Sequence, residues 1–406
     1  MRALDDIFVL DLSRVLAGPW ATQILADLGA TVVKVEKPGE GDDTRRWGPP
    51  FLNDPETGEP ADAAYYLSAN RGKRSITVDL ASEEGQEIIR KLAAKADVLV
   101  ENYKLGGLKK YGLDYDSLKE INPRLVYCSI TGFGQDGPYA PRAGYDFLIQ
   151  AMGGMMSVTG ERDDLPGGGP QKAGVAFADI SSGLYAAIAI LGALNQRHRS
   201  NKGQYIDIAL LDVQVFNMAN QALAYMVSGE SPKRMGNGHA VVVPYQSFPT
   251  SNGHVIIATG NDNQYRKLMD VLGRSDLSDD PRFAKMSGRV KNRHELIPLI
   301  EAETRKLSSA ELYEKLEAVS VPCGPINTLE EVFKDPQVIH RQIRKDLPHS
   351  QQGTVPGMAT PLRLSDSPTP YDRGPPVLGE NTDEVLQEML GLDSDALSEL
   401  RERQVI

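Results

Sequence analysis

The chain has 406 residues, 41% hydrophobic and 24% charged, with a formal net charge of −11. That length exceeds one ordinary core and predicts two domains of a soluble globular protein. The acidic balance argues against nucleic acid as a partner. Two cysteines, Cys128 and Cys323, and six scattered histidines supply neither a disulfide framework nor metal-ligand spacing. No metal is therefore expected, and a reducing, cytoplasmic location is. The sequence has no run of eighteen or more apolar residues, and its N-terminus leads straight into a strand, so neither a membrane span nor a signal peptide is expected.

Ile7–Leu12 reads as a buried strand, Pro19–Leu28 as a helix stopped at Gly29, and Thr31–Glu36 as a second strand. This βαβ unit implies a parallel sheet with a right-handed crossover. Its first loop, Ser13–Gly18, lies at the carboxyl end of a strand, where open α/β sheets bind ligands. A strand at Ser75–Asp79, a helix capped by Ser82, and strands at Asp97–Val100 and Leu125–Ile130 continue the alternation. Basic clusters occupy the connections: Arg45 and Arg46 beside Trp47, then Asn70–Arg74, then Lys104, Lys109 and Lys110 behind Asn102 and Tyr103. One such cluster is commonly a solvated face. Three in successive connections point to an anionic, nucleotide-like ligand. Gly132–Gly137 spells GxGxxG after a strand, but Pro138 and Pro141 follow at once. With no helix opening at the third glycine, it reads as a turn-rich loop and not as a dinucleotide fingerprint.

After a helical stretch at Tyr145–Met152, the segment Gly174–Leu194 carries Ile180, Leu184, Ile188 and Leu191 at helical spacing. A long, largely buried helix is expected to begin at or just after Asp179. This aspartate has two compatible readings. As an N-cap it would accept a hydrogen bond from the first turn. As a nucleophile it would be kept ionised by the helix terminus, with free N–H groups near a developing oxyanion. A strand at Tyr205–Leu210 and a helix to about Val227 complete a first domain, 1–227. Turn-rich Gly236–Phe248, a strand at His254–Ala258 and helices at Asp262–Leu272, Asn292–Leu307 and Ser309–Val319 predict a smaller domain, 228–330. Residues 331–406, Pro-rich through Ser365–Pro376 and helical at Asp383–Gly391, are expected to return to the large domain or pack on a partner chain.

The stretches DLSRVLAGPWATQILADLGATVVKVEKPGEGDDTR, NRGKRSITVDL, ADVLVENY, SITGFGQDGPY, AGYDFLIQA, GVAFADISSGLYA, VPCGPIN and PPVLGENTDEVL occur in that order. Together they make the chain resemble the family III CoA-transferases over essentially its whole length, and above all their succinate–hydroxymethylglutarate (glutarate) branch. The resemblance implies a large domain with a Rossmann-like parallel sheet, a smaller α+β domain and an interlocked homodimer. It implies that CoA moves from an acyl-CoA donor such as succinyl-CoA to a short dicarboxylic acid. Asp179 would be the nucleophile, passing through an aspartyl-CoA thioester. The CoA thioester is then a substrate, and no cofactor is held permanently.

By the same resemblance the CoA site comprises Val15, Leu16, Ala17, Lys37, Val78, Asp79, Asn102, Tyr103, Lys110, Arg142 and Tyr145. Lys37, Lys110 and Arg142 are its partners for the phosphates. Candidates for the acceptor acid are Arg45, Arg46, Trp47, His239 and Tyr245, with Gly236–Gln246 closing over the site. Carboxylates and thiolates need no general base at neutral pH, which suits a chain without a His or Cys cluster. Leu16 stands where oxalate-using members carry Gln, which disfavours oxalate. Tyr145 stands where racemases on this fold carry His, and a phenol of pKa about 10 is a poor proton shuttle. Transfer is thus expected over racemisation or epimerisation of a 2-methylacyl-CoA, and over a non-catalytic nucleotide-binding role.

Overall fold

The computed structural model describes residues 2–406, and the chain divides into two compact units. The first comprises the chain up to Met155 together with Ala173–Val227 and Ile339–Ile406. The second comprises Met156–Lys172 and Ser228–Val338. Residues 156–172, placed by the sequence reading inside a 1–227 domain, therefore belong to the second unit. The Gly236 N–H donates to the Gly160 carbonyl at 3.1 Å, and Arg234 pairs with Asp163, so the Gly-rich loop is tied to the chain after residue 228.

The first unit is built on six parallel strands: β1 (Phe8–Asp11), β2 (Thr31–Glu36), β3 (Lys73–Thr77), β4 (Val98–Glu101), β5 (Val126–Thr131) and β6 (Tyr205–Ala209). Their spatial order is β3-β2-β1-β4-β5-β6. Strands buried on both faces read as continuous apolar runs, and alternate residues divide between two cores. Val9, Val32, Val98 and Val126 face helices α1 (Ala17–Asp27) and α4 (Phe177–Ser200). Leu10, Val33, Ile76 and Leu99 face α2 (Glu83–Ala93) on the other side. Val385, Leu386, Leu397 and Leu400 of the C-terminal segment join this second core. Between α2 and α4 runs the short helix α3 (Asp146–Met152).

Helix α4 is the centre of the unit. It is long and apolar enough, by length and composition, to cross a membrane, yet half of its most apolar stretch is buried within the chain. The buried face differs from the expected one. Ser182, Gly183, Ala186, Ile190 and Leu194 point inward, whereas Leu184 and Ile188 are exposed. Small residues win the inner face because α1 lies so close. A Cβ added to Gly183 would sit 2.7 Å from the Ala17 carbonyl oxygen and 3.0 Å from the Trp20 Cβ. The helix expected to run to Val227 is two, α5 (Leu210–Asn217) and α6 (Ala219–Ser228), broken where Ala219 takes a φ of +44°.

The second unit holds a three-stranded antiparallel sheet of β7 (Tyr245–Pro249), β8 (His254–Ala258) and β9 (Cys323–Pro325). Helices α7 (Asp262–Val271), α8 (Arg293–Thr304) and α9 (Ser309–Ala318) cover it through Leu268, Leu296, Ile300, Leu312 and Leu316.

Candidate active site

Strand β1 ends at Asp11, whose buried carboxylate accepts from the Ser13 N–H (3.0 Å), the Thr22 hydroxyl (2.6 Å) and Lys73 Nζ (3.1 Å). Strand β3 begins two residues earlier than expected, and this carries Lys73 into the interior. Arg71 pairs with Asp27, and Arg74 with Glu388 (2.6 Å). The basic cluster Asn70–Arg74, read from sequence as pointing to an anionic ligand, is instead consumed by the fold.

The loop after β1 is strained. Val15 has a φ of +71°, which a β-branched residue adopts only when its surroundings impose it. The surroundings are explicit here. The Val15 N–H donates to both carboxylate oxygens of Asp42 (3.1 and 3.2 Å). The Arg14 N–H donates to Asn102 Oδ1 (3.0 Å), and Asn102 Nδ2 donates back to the Arg14 carbonyl (2.7 Å). Asp42 is paired at 2.8 Å with Lys34, their side chains 0% and 1% exposed. Lys34 also donates to the Ser13 carbonyl (2.8 Å). Burial alone would raise the Asp42 pKa, but the Lys34 ammonium and the Thr44 amide and hydroxyl bring it down to about 2.

A cavity of about 630 Å³ opens at the carboxyl ends of β1, β4, β5 and β6. It gathers Val15, Leu16, Ala17, Trp47, Asn102, Tyr103, Lys110, Arg142, Tyr145 and Asp179, all singled out from sequence, and adds Arg14, Asp43, Gly132 and Gly144. Lys110 lies over the Tyr111 ring (4.4 Å) and Arg142 over the Tyr139 ring (4.6 Å). Neither has a carboxylate partner among the described residues. Gly132 and Gly144 explain each other: a Cβ on Gly132 would stand 2.5 Å from the Gly144 Cα. The first glycine of the GxGxxG string thus serves a backbone crossing.

Asp179 is not an N-cap. Helix α4 starts at Phe177, its N-cap is Ala176, and no side chain of that residue caps it. The capping carboxylate comes from Asp146 in the first turn of α3. Its Oδ1 accepts from the amides of Ala178 (2.8 Å) and Asp179 (3.3 Å), and its Oδ2 from Gln150 (2.7 Å). The expectation that the helix terminus keeps Asp179 ionised is overturned for the same reason, since those amides are occupied by an anion. Burial, and then the charge of Asp146, push Asp179 up to about 7.

Several expected residues lie elsewhere. Val78 is 1% exposed in the core beneath α2, so its side chain meets no ligand. Asp79 accepts from the Ala81 N–H (3.0 Å), closing a turn. Lys37 is exposed and bonds Glu40, and Arg46 donates to the Glu40 carbonyl (2.9 Å). Arg45 is enclosed by Glu36 (2.7 Å), Asp62 (2.6 Å) and the Tyr66 hydroxyl (2.6 Å), which leaves it no face for an acceptor acid. His239 and Tyr245 belong to the second unit, their rings 5.2 Å apart, and His239 Nδ1 accepts from the amides of Val241 and Val242. Among the described residues no group of three or more His, Cys, Asp or Glu forms a metal site.

A cavity at the carboxyl edge of a six-stranded parallel sheet makes this an α/β protein with its candidate site where open α/β sheets bind ligands. A family model for CoA-transferase family III matches residues 4–382. The chain is 50% identical over 393 residues to a succinate–glutarate CoA-transferase of Agrobacterium fabrum, covering 97% of each chain. It is 42% identical over 403 residues to the human succinyl-CoA:glutarate CoA-transferase, covering 98% of this chain and 89% of that one. The crystal structure of a CAIB/BAIF family protein from Brucella suis superposes with a TM-score of 0.85 at 53% identity, covering 96% of this chain and 100% of that one. The chain belongs to CoA-transferase family III and is a CoA-transferase.

Proposed function

We propose that the 630 Å³ cavity binds an acyl-CoA and that Asp179 is the nucleophile through which CoA passes to a short dicarboxylic acid. The observation that carries this reading is the placement of a half-buried carboxylate of raised pKa in the same cavity as the unpaired cations Lys110 and Arg142. A desolvated carboxylate is more basic, and so more nucleophilic, than one in water. The cations suit the nucleotide phosphates. The names of the relatives supply the substrates: succinyl-CoA as donor, and glutarate or a similar dicarboxylate as acceptor.

The Asp179 carboxylate attacks the thioester carbonyl, and the carbon–sulfur bond breaks to give an acyl-aspartyl anhydride and the CoA thiolate. The thiolate attacks the aspartyl carbonyl, which frees the donor acid and leaves an aspartyl-CoA thioester. The acceptor carboxylate repeats these two steps in reverse and restores Asp179. No proton is gained or lost, so no general base is required.

A homodimer is part of the reading. Helix α6 has no buried residue, and Val227 is 87% exposed. Phe216 (70%) and Ile188 (63%) extend an outward apolar surface on the same unit. Single soluble chains rarely leave so much apolar surface uncovered, and a second copy of this chain would cover it. Incubation with succinyl-CoA and a panel of free acids, read by mass, should give glutaryl-CoA or a near homologue. Absence of any new CoA ester across the panel would reject the function.

A further inference from the structure

A second cavity, of about 460 Å³, lies wholly within the second unit. One face of α8 lines it through His294, Ile297 and Glu301, with Arg305 just past its end and Arg293 at its head. Most of the charges here are answered. Arg162 is paired with Asp164 (2.6 Å), and Arg305 lies 3.8 Å from Glu301. Arg293 is different. Its guanidinium donates to the carbonyls of Ala240 (2.6 Å), His239 (3.1 Å) and Val290 (3.4 Å), and no carboxylate among the described residues pairs with it. Arg289, one turn earlier in the chain, shows the usual arrangement, buried and paired with Asp262 at 2.9 Å.

Burial, and then the positive charge of Arg162, press the Arg293 pKa down, although Glu161 and Glu301 also line the cavity. The three carbonyls fix the orientation of the guanidinium and leave two of its five N–H donors uncommitted. A rigid fork with spare donors suits a planar carboxylate better than a point charge does.

We propose that this cavity is a binding site for a small free dicarboxylate, with Arg293 anchoring one carboxylate and Arg305, loosely held 3.8 Å from Glu301, receiving the other. Its volume of about 460 Å³ is ample for a short diacid. The inference does not rest on the role of Asp179, and it gives the second unit a ligand of its own.

Calorimetric titration of the full-length protein tests it, with glutarate as the probe and butyrate and inorganic phosphate as comparisons. Glutarate should bind saturably, and butyrate at least tenfold more weakly. Arg293→Gln should weaken glutarate at least tenfold, and Arg293→Lys should restore part of the loss. Because Arg293 also holds the His239 loop, Arg305→Gln, which touches no backbone carbonyl, should independently weaken glutarate about threefold or more. An Asp179→Ala arm separates the two sites, since glutarate binding should survive it even if the proposed transfer mechanism is wrong. Equal affinity in wild type and Arg293→Gln would overturn the site, as would loss of binding in Asp179→Ala alone. Tighter binding of phosphate than of glutarate would overturn the carboxylate assignment.

Discussion

Substituting Asp42 by Asn tests how the strained loop at Val15 is held. The change keeps an oxygen for the Val15 and Thr44 amides but removes the charge facing Lys34 at 2.8 Å. In the folded chain Asp42 titrates at about 2 against an ordinary 3.8. At about 1.4 kcal/mol per unit, that shift corresponds to roughly 2 kcal/mol of stability. Because the folded value is depressed, this contribution is fully present above about pH 4 and disappears as pH falls toward 2. Breaking a buried pair outright costs about 3–5 kcal/mol. Lys34 keeps Asp11 as a second carboxylate, so the expected cost is about 2–3 kcal/mol at pH 7, shrinking at pH 3. Urea denaturation at both pH values measures it. Hydrogen exchange of the 13–16 segment should accelerate, because the clamp that offsets a left-handed valine is weaker. A cost below about 1 kcal/mol at pH 7, with Val15 protection unchanged, would refute the reasoning.

Asp146→Asn removes the like charge beside Asp179 while keeping its cap on α4. The kcat/KM for acyl-CoA should rise with pH through about 7 in the wild type, where Asp179 ionises, and the rise should move to lower pH in the variant. An unmoved profile would mean that Asp146 does not set that basicity. Asp179→Ala should be no less stable than wild type at pH 8, and somewhat more so. The folded pKa is raised, so the carboxylate costs stability increasingly between about pH 4 and 7 and fully above, and thermal melts should converge near pH 4. A uniform loss across that range would instead mark a structural role. Arg142→Ala should raise KM for succinyl-CoA roughly tenfold, the value of one charge-assisted hydrogen bond, with kcat little changed. A fall in kcat alone would place Arg142 at the reacting centre.

The strand–helix alternation was legible because strands buried on both faces are written as apolar runs, as in Val98–Val100, and because a helix cap such as Ser82 is local. Ten of the chosen site residues share one cavity, since loops following parallel strands converge at one edge. What failed to show were partners distant in sequence. Nothing local distinguishes Lys73, bound to Asp11, or Arg45, bound to Glu36 and Asp62, from a cation awaiting a phosphate. The inner face of α4 was misread because close packing on α1 selects Gly and Ala over Leu184 and Ile188. Asp179 looked like a cap because the residue that does cap the helix, Asp146, lies 33 positions earlier. The positive φ of Val15 has no sequence mark at all.

The central claim is that the side chain of Asp179 carries CoA during turnover. Wild-type protein mixed with succinyl-CoA, reduced with borohydride and digested, should yield the peptide around residue 179 with its carboxyl converted to an alcohol. Glutarate added before the reductant should discharge the adduct and erase that mark. Recovery of unmodified Asp179 from active protein reduced in the presence of succinyl-CoA alone, or the mark on any other residue, would contradict the account.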